Sequence, residues 1–448
     1  MDSHADLLGV YRAALSNDAQ LAASRHAYLA QREALPQARA GLLPNLTAGA
    51  TSEITRLERD EPSLSRERSG TTFRANISQP LFRLDRWYQV KAARFTVSQA
   101  GLELSAKEQN LIFSAAQGYF ETLRQLDAYA ATKAEEGALL RQLEQAKGRL
   151  EDGASSITDV YDAQAAYDSA RANRQQTQRK VDDAFETLAR LTKNEYSSIS
   201  GMGHTLPVES PVPNEAQDWV QTAIRQNLEL QATHFAIDVA EQTLNQRKAG
   251  HAPSIDAVAS YRKGDNDSFG YSNPTDFGSN GYRDNVEQSS IGIELNIPLY
   301  SGGMTNSQIT EASERLYQSR DDYEDRRREV VLNTRNAFRG INSDIEQIVA
   351  RRQAILSGQK SVEANQVGVD IGSRNIADVL NAQRQLYAVV RDYNNARYDY
   401  ILDNLKLKQS AGTLSPNDLE MLASYLKKDY DPSRDFLPPL SLGRPSTR

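Results

Sequence analysis

The sequence contains no cysteine, and this absence removes several kinds of chemistry at once. Disulfides, thiolate zinc sites, iron–sulfur clusters and catalytic thiols all require cysteine. Five histidines are scattered along 448 residues, and none lies three or four residues from another, as two metal ligands on one helix would. Because no clustered acid, base or phosphate-binding motif is present either, we predict no metal, no cofactor and no enzymatic activity.

Positive charge is not in excess, since 59 Asp and Glu outnumber 52 Lys and Arg. The net charge of −7 disfavours nucleic acid as a partner, because phosphate binding needs a basic surface. No segment approaches the roughly 18–20 consecutive apolar residues of a membrane-spanning helix. Residues 1–6 also lack the basic and apolar segments of a signal peptide.

What the sequence does contain is a duplication of one long unit. Matching segments begin at Ala14 and Ala223, and the motif Gly-x-x-x-Ile-x-Asp-Val begins at Gly153 and again at Gly372. A repeat of this size sets the organisation of the whole chain. We predict a first repeat at 1–200, a linker at 201–213, a second repeat at 214–412 and a C-terminal segment at 413–448.

Each repeat is predicted to hold a pair of strands and then a helical hairpin. The strands lie within about 43–83 and 253–300, and the hairpins span about 87–195 and 304–411. The clearest strand pattern is at 290–299, where Ile291, Ile293 and Leu295 alternate with polar residues. Such alternation is typical of a strand with one apolar face. The polar segments 56–70 and 264–285 are expected to be the loops that join each strand pair.

The hairpins are predicted to be long and to resemble coiled coils. Val331, Phe338 and Ile345 recur every seven residues, and the absence of proline from 303–368 allows one helix of roughly 65 residues. Pro36 lies in a shorter helical segment and predicts a kink there. A further helix is expected near 419–428, followed by a proline-rich, disordered end.

Four strands in two hairpins present open edges and an apolar face that a soluble protein seldom exposes. Their length and alternation fit a transmembrane β-barrel, but about eight strands are the minimum for closing one. The sequence therefore predicts an α+β membrane protein that oligomerises, and the residues alone leave the number of chains open. A soluble coiled-coil scaffold is the alternative, although it gives the alternating strands no role.

Residues 298–304, 372–383 and 396–414 carry a resemblance to a known family. Together with the duplication, they make the chain resemble the TolC family of Gram-negative drug-efflux and type I secretion channels over about residues 5–426. The resemblance implies a homotrimer with four strands per chain in one 12-stranded outer-membrane barrel, continued by a coiled-coil α-helical tunnel in the periplasm. It also implies a mature chain whose signal peptide has been removed. The N-terminal lipid-bearing cysteine of some relatives is missing.

The same resemblance implies partners. A periplasmic adaptor (membrane-fusion) protein would connect the channel to an inner-membrane pump of the resistance-nodulation-division or ABC type, and outer-membrane lipid would surround the barrel. The channel would be passive, so that cargo leaves the periplasmic assembly for the exterior while the pump supplies the energy.

The family's pore constriction corresponds to the second copy of the motif. The resemblance places a ring of three carboxylates at Asp378, and such a ring selects cations. The family's second acidic position is occupied here by Asn381, so the gate is expected to be weaker. The alternative is that Asp378, like Asp159 in the first copy, only favours the start of the following helix.

The resemblance also implies a lock for the closed state, in which Arg374 reaches Thr158 and Asp159 on the partner hairpin. A family tyrosine that supports this lock is replaced by Val369. The alternative is an ordinary pair between Arg374 and the aspartate four residues later.

Small residues at the hairpin turns are expected to contact the adaptor, although they equally permit close helix packing. They are Gly153, Ala154, Ser155, Gly372 and Ser373. Pro80 and Pro298 are expected to mark the junction between barrel and helices, a position that proline accepts at a sheet margin.

Overall fold

A computed structural model describes residues 4–60, 64–153, 156–265 and 285–438. Its helices are α1 (Leu7–Asn17), α2 (Ala19–Arg32), α3 (Ala34–Ala40), α4 (Leu84–Glu151), α5 (Ile157–Thr192), α6 (Ala216–Gln226), α7 (Leu228–Lys248), α8 (Met304–Asp370), α9 (Ile376–Ser410), α10 (Pro416–Ala423) and α11 (Pro432–Asp435). Its strands are β1 (His4–Ala5), β2 (Asn45–Arg59), β3 (Leu64–Phe82), β4 (Ser198–Ile199), β5 (Gly201–Met202), β6 (Ser254–Asp265), β7 (Asn285–Asn296) and β8 (Leu426–Lys427). A pair of long strands followed by a pair of long helices thus occurs twice.

The chain forms two compact units, and each takes residues from both predicted repeats. Unit 1 consists of Met1–Ala27, Leu102–Gln231 and Asp325–Arg448. Unit 2 consists of Tyr28–Gly101 and Ala232–Glu324. The four long strands belong to unit 2, and the turns of both helical hairpins belong to unit 1.

Unit 2 is built on an antiparallel sheet in the order β2-β3-β6-β7. Residues in register form rows across all four strands, and one row consists of Leu46, Ile77, Ala259 and Ile291. Residues two positions away lie on the same face, because successive side chains of a strand alternate. In this row Leu46 is 67% exposed and Ile291 90% exposed, so the chain leaves this apolar face uncovered.

The predicted loop over residues 56–70 is wrong. β2 continues to Arg59, β3 begins at Leu64, and these two residues pair with each other. The prediction rested on the density of charged side chains, whereas a β-ladder requires only backbone N–H and C=O groups. The other predicted loop falls mainly on residues 266–284, which lie outside the described residues.

The two prolines predicted at the strand ends lie close to those ends. β3 continues through Pro80 to Phe82, with a shift of register between these two residues. Pro298 follows the last residue of β7 by two positions. Pro80 lies beyond Ser78, where the pairing of β3 with β2 ends, and Pro298 lies beyond the last paired residue of β7, so both are at a margin of the sheet, where proline is tolerated.

The long helices are continuous, as the sequence predicted. α4 has 68 residues and α8 has 67. The kink expected at Pro36 is a break, since α2 ends at Arg32 and α3 begins at Ala34. A proline ring clashes with the carbonyl four residues earlier, which here belongs to Arg32. Within the described ranges, no helix has the length and apolar character needed to cross a membrane.

Two short sheets in unit 1 use the predicted linker and the C-terminal segment. β5 in the linker pairs antiparallel with β8, and β1 pairs parallel with β4. The helix predicted near 419–428 is wrong in its limits, because α10 begins at Pro416 and ends at Ala423 and residues 426–427 join the sheet. The part of the expected disordered end at 439–448 lies outside the described residues.

A buried carboxyl group connects the C-terminal segment to α4 in unit 1. Asp127 is 2% exposed, accepts a hydrogen bond of 2.8 Å from the hydroxyl of Tyr398, and accepts another from the hydroxyl of Tyr430 beyond β8. Burial raises the pKa of Asp127 from 3.8 to about 6, although the two hydroxyls and Arg397 act in the opposite direction. The folded protein therefore holds this proton more tightly than the unfolded chain does.

We expect the Asp127 carboxyl to reduce the stability of the protein as the pH rises from about 4 to about 6. Below that window both states are protonated; within it the unfolded chain loses the proton first, at a total cost to folding of about 3 kcal/mol. Asp127→Asn keeps an acceptor for a tyrosine and removes the titration. Melting temperatures of the detergent-solubilised protein at pH 4, 5, 6 and 7 should fall for the wild type relative to the variant. Parallel curves would contradict this account.

Candidate functional site

The two hairpin turns of unit 1 share one backbone design. One turn joins α4 to α5, and the other joins α8 to α9. Gly153 in the first and Gly372 in the second both have a φ of +71°. This left-handed conformation costs a residue with a Cβ roughly 1–2 kcal/mol. The glycine of the duplicated motif therefore ends the first helix of each hairpin.

The aspartate of the motif caps the second helix of each hairpin. In the first turn Ser156 Oγ accepts a hydrogen bond from Asp159 N at 3.3 Å, and Asp159 Oδ2 accepts one from Ser156 N at 3.1 Å. In the second turn Asn375 Oδ1 accepts from Asp378 N at 3.0 Å, and Asp378 Oδ2 accepts from Asn375 N at 3.4 Å. Both are capping boxes, which satisfy backbone donors that have no partner inside the helix. The structural role that the sequence allowed for both aspartates is therefore present.

Asp378 nonetheless remains accessible. Its side chain is 37% exposed, and Arg374 Nη1 lies 3.8 Å from its Oδ2. The Arg374 side chain is 61% exposed, and a long pair between exposed groups contributes little to stability. Asn381 is also exposed and lies three residues further along α9, on the same side of the helix as Asp378.

The residues predicted to receive Arg374 lie in the first turn. The hydroxyl of Thr158 shares a hydrogen bond with that of Ser156, and Asp159 is partly buried in its capping box. Within one chain, the structure thus places Thr158 beside Asp159, and Arg374 beside Asp378. The contact of Arg374 with the first turn stays a prediction.

The predicted adaptor-binding residues lie at the two turns as far as the structure describes them. Ser373 donates its backbone N–H and its hydroxyl to the carbonyl of Gly368, at 2.8 and 3.2 Å. Ala154 and Ser155 lie outside the described residues.

A bridge between the two hairpins is a feature that the sequence analysis did not predict. Arg149 near the end of α4 contacts the end of α8, with its Nη2 2.5 Å from Asp370 Oδ1 and its Nη1 donating to the carbonyl of Val369 at 3.3 Å. Further from the turns on the same two helices, Gln142 Nε2 on α4 donates to Gln366 Oε1 on α8 at 2.9 Å. These contacts join segments more than two hundred residues apart in the sequence, next to both turns.

Gly368 is a second residue that the sequence did not single out. A Cβ built on Gly368 would lie 2.6 Å from Cγ and 3.1 Å from Cβ of Arg374. Because Gly368 has no side chain, the Cβ and Cγ atoms of Arg374 can pack directly against it. Arg149 and Gly368 occupy equivalent positions in the two repeats, each four residues before the glycine of its motif. The replacement of an arginine by a glycine between the two repeats was the sequence signal that could have drawn attention to both residues.

An apolar cluster packs α4, α5 and α9 together behind the turns. Its small and aliphatic members are Leu139, Leu143, Ala146, Val160, Ala163, Ala166, Ala170, Ile376 and Leu380. Alanines at successive turns of α5 allow close approach of the neighbouring helices. Across the described part of the chain, no group of three or more His, Cys, Asp or Glu side chains could hold a metal ion.

The chain is similar to known outer-membrane proteins along most of its length. The family model described as outer membrane efflux protein matches residues 10–193 and 219–413. The outer membrane protein TolC of Vibrio cholerae is 34% identical over 422 residues, or 94% of each chain. TolC of Escherichia coli is 30% identical over 97% of this chain and 87% of its own. The alkaline protease secretion protein AprF of Pseudomonas aeruginosa is 26% identical over 96% of this chain and 89% of its own.

Solved structures share the fold. A crystal structure of CusC superimposes with a TM-score of 0.78 at 16% identity, covering 91% of this chain and 92% of its own. The outer membrane protein VceC of Vibrio cholerae superimposes with a TM-score of 0.75 at 18% identity, covering 91% and 96%. The predicted fold class, in which one chain combines a strand pair and a long helical hairpin twice, is confirmed at this level.

Gly368→Ala is expected to lower the melting temperature by a few degrees, because the new methyl group displaces the Arg374 side chain at a cost of roughly 1–3 kcal/mol. Gly148→Ala is the matched control, since it lies in α4 and a Cβ there would meet nothing within 4 Å. The control should raise the melting temperature through helix propensity alone. Equal increases in both variants would show that Gly368 makes no such room.

Proposed function

The chain belongs to the outer membrane efflux protein family, and on that premise we propose that it is an outer-membrane channel, the exit duct of a drug-efflux or type I secretion assembly. The resemblance to the TolC family found in the sequence is confirmed by the family match and by the TolC relatives. Relatives named for protease secretion and for efflux both occur, so both classes of cargo fall within the proposal. The family is one of channels, and cargo would cross passively.

The observation that carries the proposal is the sheet of unit 2 with its uncovered apolar face. Its outer strands, β2 and β7, pair with no further strand among the described residues. An apolar face of this kind fits lipid, and unpaired edges fit strands of other chains. Both features support a barrel closed by more than one chain, since about eight strands are needed for closure. That three chains contribute four strands each is what the resemblance to the TolC family implies.

The proposed partners follow from the membership of the family. A homotrimer would present six hairpin turns, two from each chain, to a periplasmic adaptor protein. The small residues of the turns leave space for the adaptor's helices, and the adaptor would connect the channel to an inner-membrane pump of the resistance-nodulation-division or ABC type. The strands would lie in the outer membrane and most of the mass in the periplasm.

The turns would also form the gate. Three copies of Asp378 would make an acidic ring that favours cations, with Asn381 beside it as an uncharged position. Arg374 would hold the closed state by reaching Thr158 and Asp159 of a partner hairpin. The bridge between Arg149 and Asp370 supports this proposal, because it already fastens the ends of α4 and α8 to each other within one chain.

The channel itself is tested by recording from the detergent-purified protein in a planar lipid bilayer. Discrete conductance steps and a requirement for detergent are expected. Protein that stays soluble without detergent and gives no conductance would favour the coiled-coil scaffold instead.

Asp378→Asn is expected to reduce the preference for cations, measured as a shift of the reversal potential in a KCl gradient. Asparagine keeps an acceptor for the Asn375 N–H, so the charge is removed with little change to the cap. Asp159→Asn is the matched control, because it makes the same change at the same cap position of the other turn. Equal shifts in the two variants would count against a ring at Asp378.

Arg374→Ser is expected to raise the single-channel conductance several-fold, because it removes the proposed lock. Arg384→Ser removes the same charge from an exposed position further along α9 and should leave the conductance unchanged. If both variants conduct like the wild type, the lock is wrong although the channel stands.

A further inference from the structure

The duplication gives unit 1 two equivalent cavities, one from each repeat. The first cavity lies at the start of α2, against α4 and the end of α5, and has a volume of about 580 Å³. The second cavity lies at the start of α7, against α8 and the end of α9, and has a volume of about 230 Å³. All residues that line the two cavities belong to unit 1, so each cavity can be compared with its counterpart.

Both cavities are built beside the same helix cap. Asp18 Oδ2 accepts a hydrogen bond of 3.3 Å from Leu21 N at the start of α2. At the equivalent position of the second repeat, Asn227 Oδ1 accepts one of 2.9 Å from Leu230 N at the start of α7. The backbone around the two cavities is therefore alike, and the side chains on their walls make the difference.

In the second cavity positive charge is neutralised by carboxylates. Arg326 on α8 forms ion pairs with Glu229 and with Glu329, whose Oε2 lies 2.5 Å from Arg326 Nη1. The residues of the first repeat that are equivalent to Glu229 and Glu329 are Gln20 and Asn110. The first cavity thus has uncharged amides where the second has its two carboxylates.

Three cations line the first cavity, namely Lys107 on α4 and Arg190 and Lys193 at the end of α5. Each is exposed, and none forms an ion pair with the residues that the structure describes. Among the described residues of the cavity wall, the one carboxylate is that of Asp18, and both of its oxygens accept backbone hydrogen bonds in the cap. Glu108, next to Lys107 in the chain, pairs instead with Arg25 at 3.6 Å. Positive charge is therefore concentrated in this cavity.

Lys193 has a backbone conformation that a lysine seldom adopts. Its φ is +60°, the one positive φ of a non-glycine residue in the described ranges. The equivalent residue of the second repeat is Gly412, with a φ of +74°. Glycine adopts this conformation without the steric cost of a Cβ. Because the turn alone favours glycine, the lysine is accounted for by the charge that it brings to the cavity wall.

We propose that the first cavity is an anion-binding site for phosphate groups, held by Lys107, Arg190 and Lys193. Three cations and one carboxylate leave an excess of positive charge that matches a phosphate group, which carries about −1.5 to −2 near pH 7. Arginine binds phosphate oxygens with two parallel hydrogen bonds, and lysine adds a point charge. The second cavity, where the charges are paired, is expected to bind no phosphate. The site does not depend on the proposed channel.

The test is isothermal titration calorimetry of the detergent-purified full chain with inorganic pyrophosphate at pH 7. The wild type is expected to bind one pyrophosphate per chain. Arg190→Gln/Lys193→Gly introduces the residues of the second repeat and should bind at least about tenfold more weakly, because charge-assisted hydrogen bonds are lost. Arg179→Gln/Lys180→Gln removes the same charge from exposed positions of α5 outside the cavity and should bind like the wild type.

The single variant Lys193→Gly separates binding from folding. It should raise the melting temperature, because glycine relieves the left-handed conformation, and it should weaken pyrophosphate binding. A lower melting temperature with unchanged affinity would show that Lys193 serves the turn, and would overturn the site.

Competition by glycerophosphoglycerol, the water-soluble headgroup of a phospholipid, identifies the source of the phosphate group. Displacement of pyrophosphate would support the site as one for phospholipid headgroups. Pyrophosphate binding that this headgroup leaves unchanged would support it as one for free phosphate compounds.

Several outcomes would overturn the site while the proposed function stands, because none of these measurements uses conductance. They are no binding by the wild type, equal affinity of the wild type and Arg190→Gln/Lys193→Gly, equal weakening by Arg179→Gln/Lys180→Gln, and two pyrophosphates bound per chain. If the double variant does not fold, Lys107→Gln at its exposed position on α4 decides in the same way.

Discussion

Pairing of backbone N–H and C=O groups is the constraint on which the rest of this structure depends. In the long helices each backbone N–H pairs with a carbonyl of the same helix, so these helices can continue for 68 and 67 residues without hydrogen bonds from another segment. The strands meet it only through other strands, and the sheet of unit 2 ends at β2 and β7 among the described residues. In the proposed membrane setting an unpaired edge would be costly, so the sheet would require strands from further chains. The proposed oligomerisation would thus be a consequence of the strands, whereas the helices would allow a single chain.

The same constraint explains the duplicated motif. Where a helix ends, several backbone groups lose their partners, and each turn satisfies some of them with a left-handed glycine and a capping box. Because the aspartate of the box accepts from the backbone, its charge is held at the start of the helix and stays partly exposed. Asp378 is required for the turn and is also available for the proposed gate. Its structural role and its proposed functional role therefore do not exclude each other.

Pairs of charged side chains occur within both units. At the turns of unit 1, arginines are matched by carboxylates, as Arg149 is by Asp370 and Arg374 is by Asp378. In the sheet of unit 2, Lys263 on β6 pairs with Glu287 on β7, with 2.5 Å between Nζ and Oε1. Pairs between exposed groups such as these contribute little to stability, so burial and backbone pairing account for most of it.

The sequence alone determined the features that depend on neighbouring residues. The strand predicted at 290–299, which the structure has as far as Asn296, the uninterrupted helix after residue 303, the disruption at Pro36 and the glycine of each turn are all set by local sterics and hydrogen bonding. The resemblance to the TolC family could be found from the sequence for the same reason, because each motif that carries it is a contiguous stretch of the chain. Only the tertiary structure decided the bridge from Arg149 to Asp370 and the fit of Arg374 against Gly368. Each of these depends on register or packing between segments that local pattern does not fix, and even the strand extension through residues 56–59 required knowing that a partner strand was present to accept its hydrogen bonds.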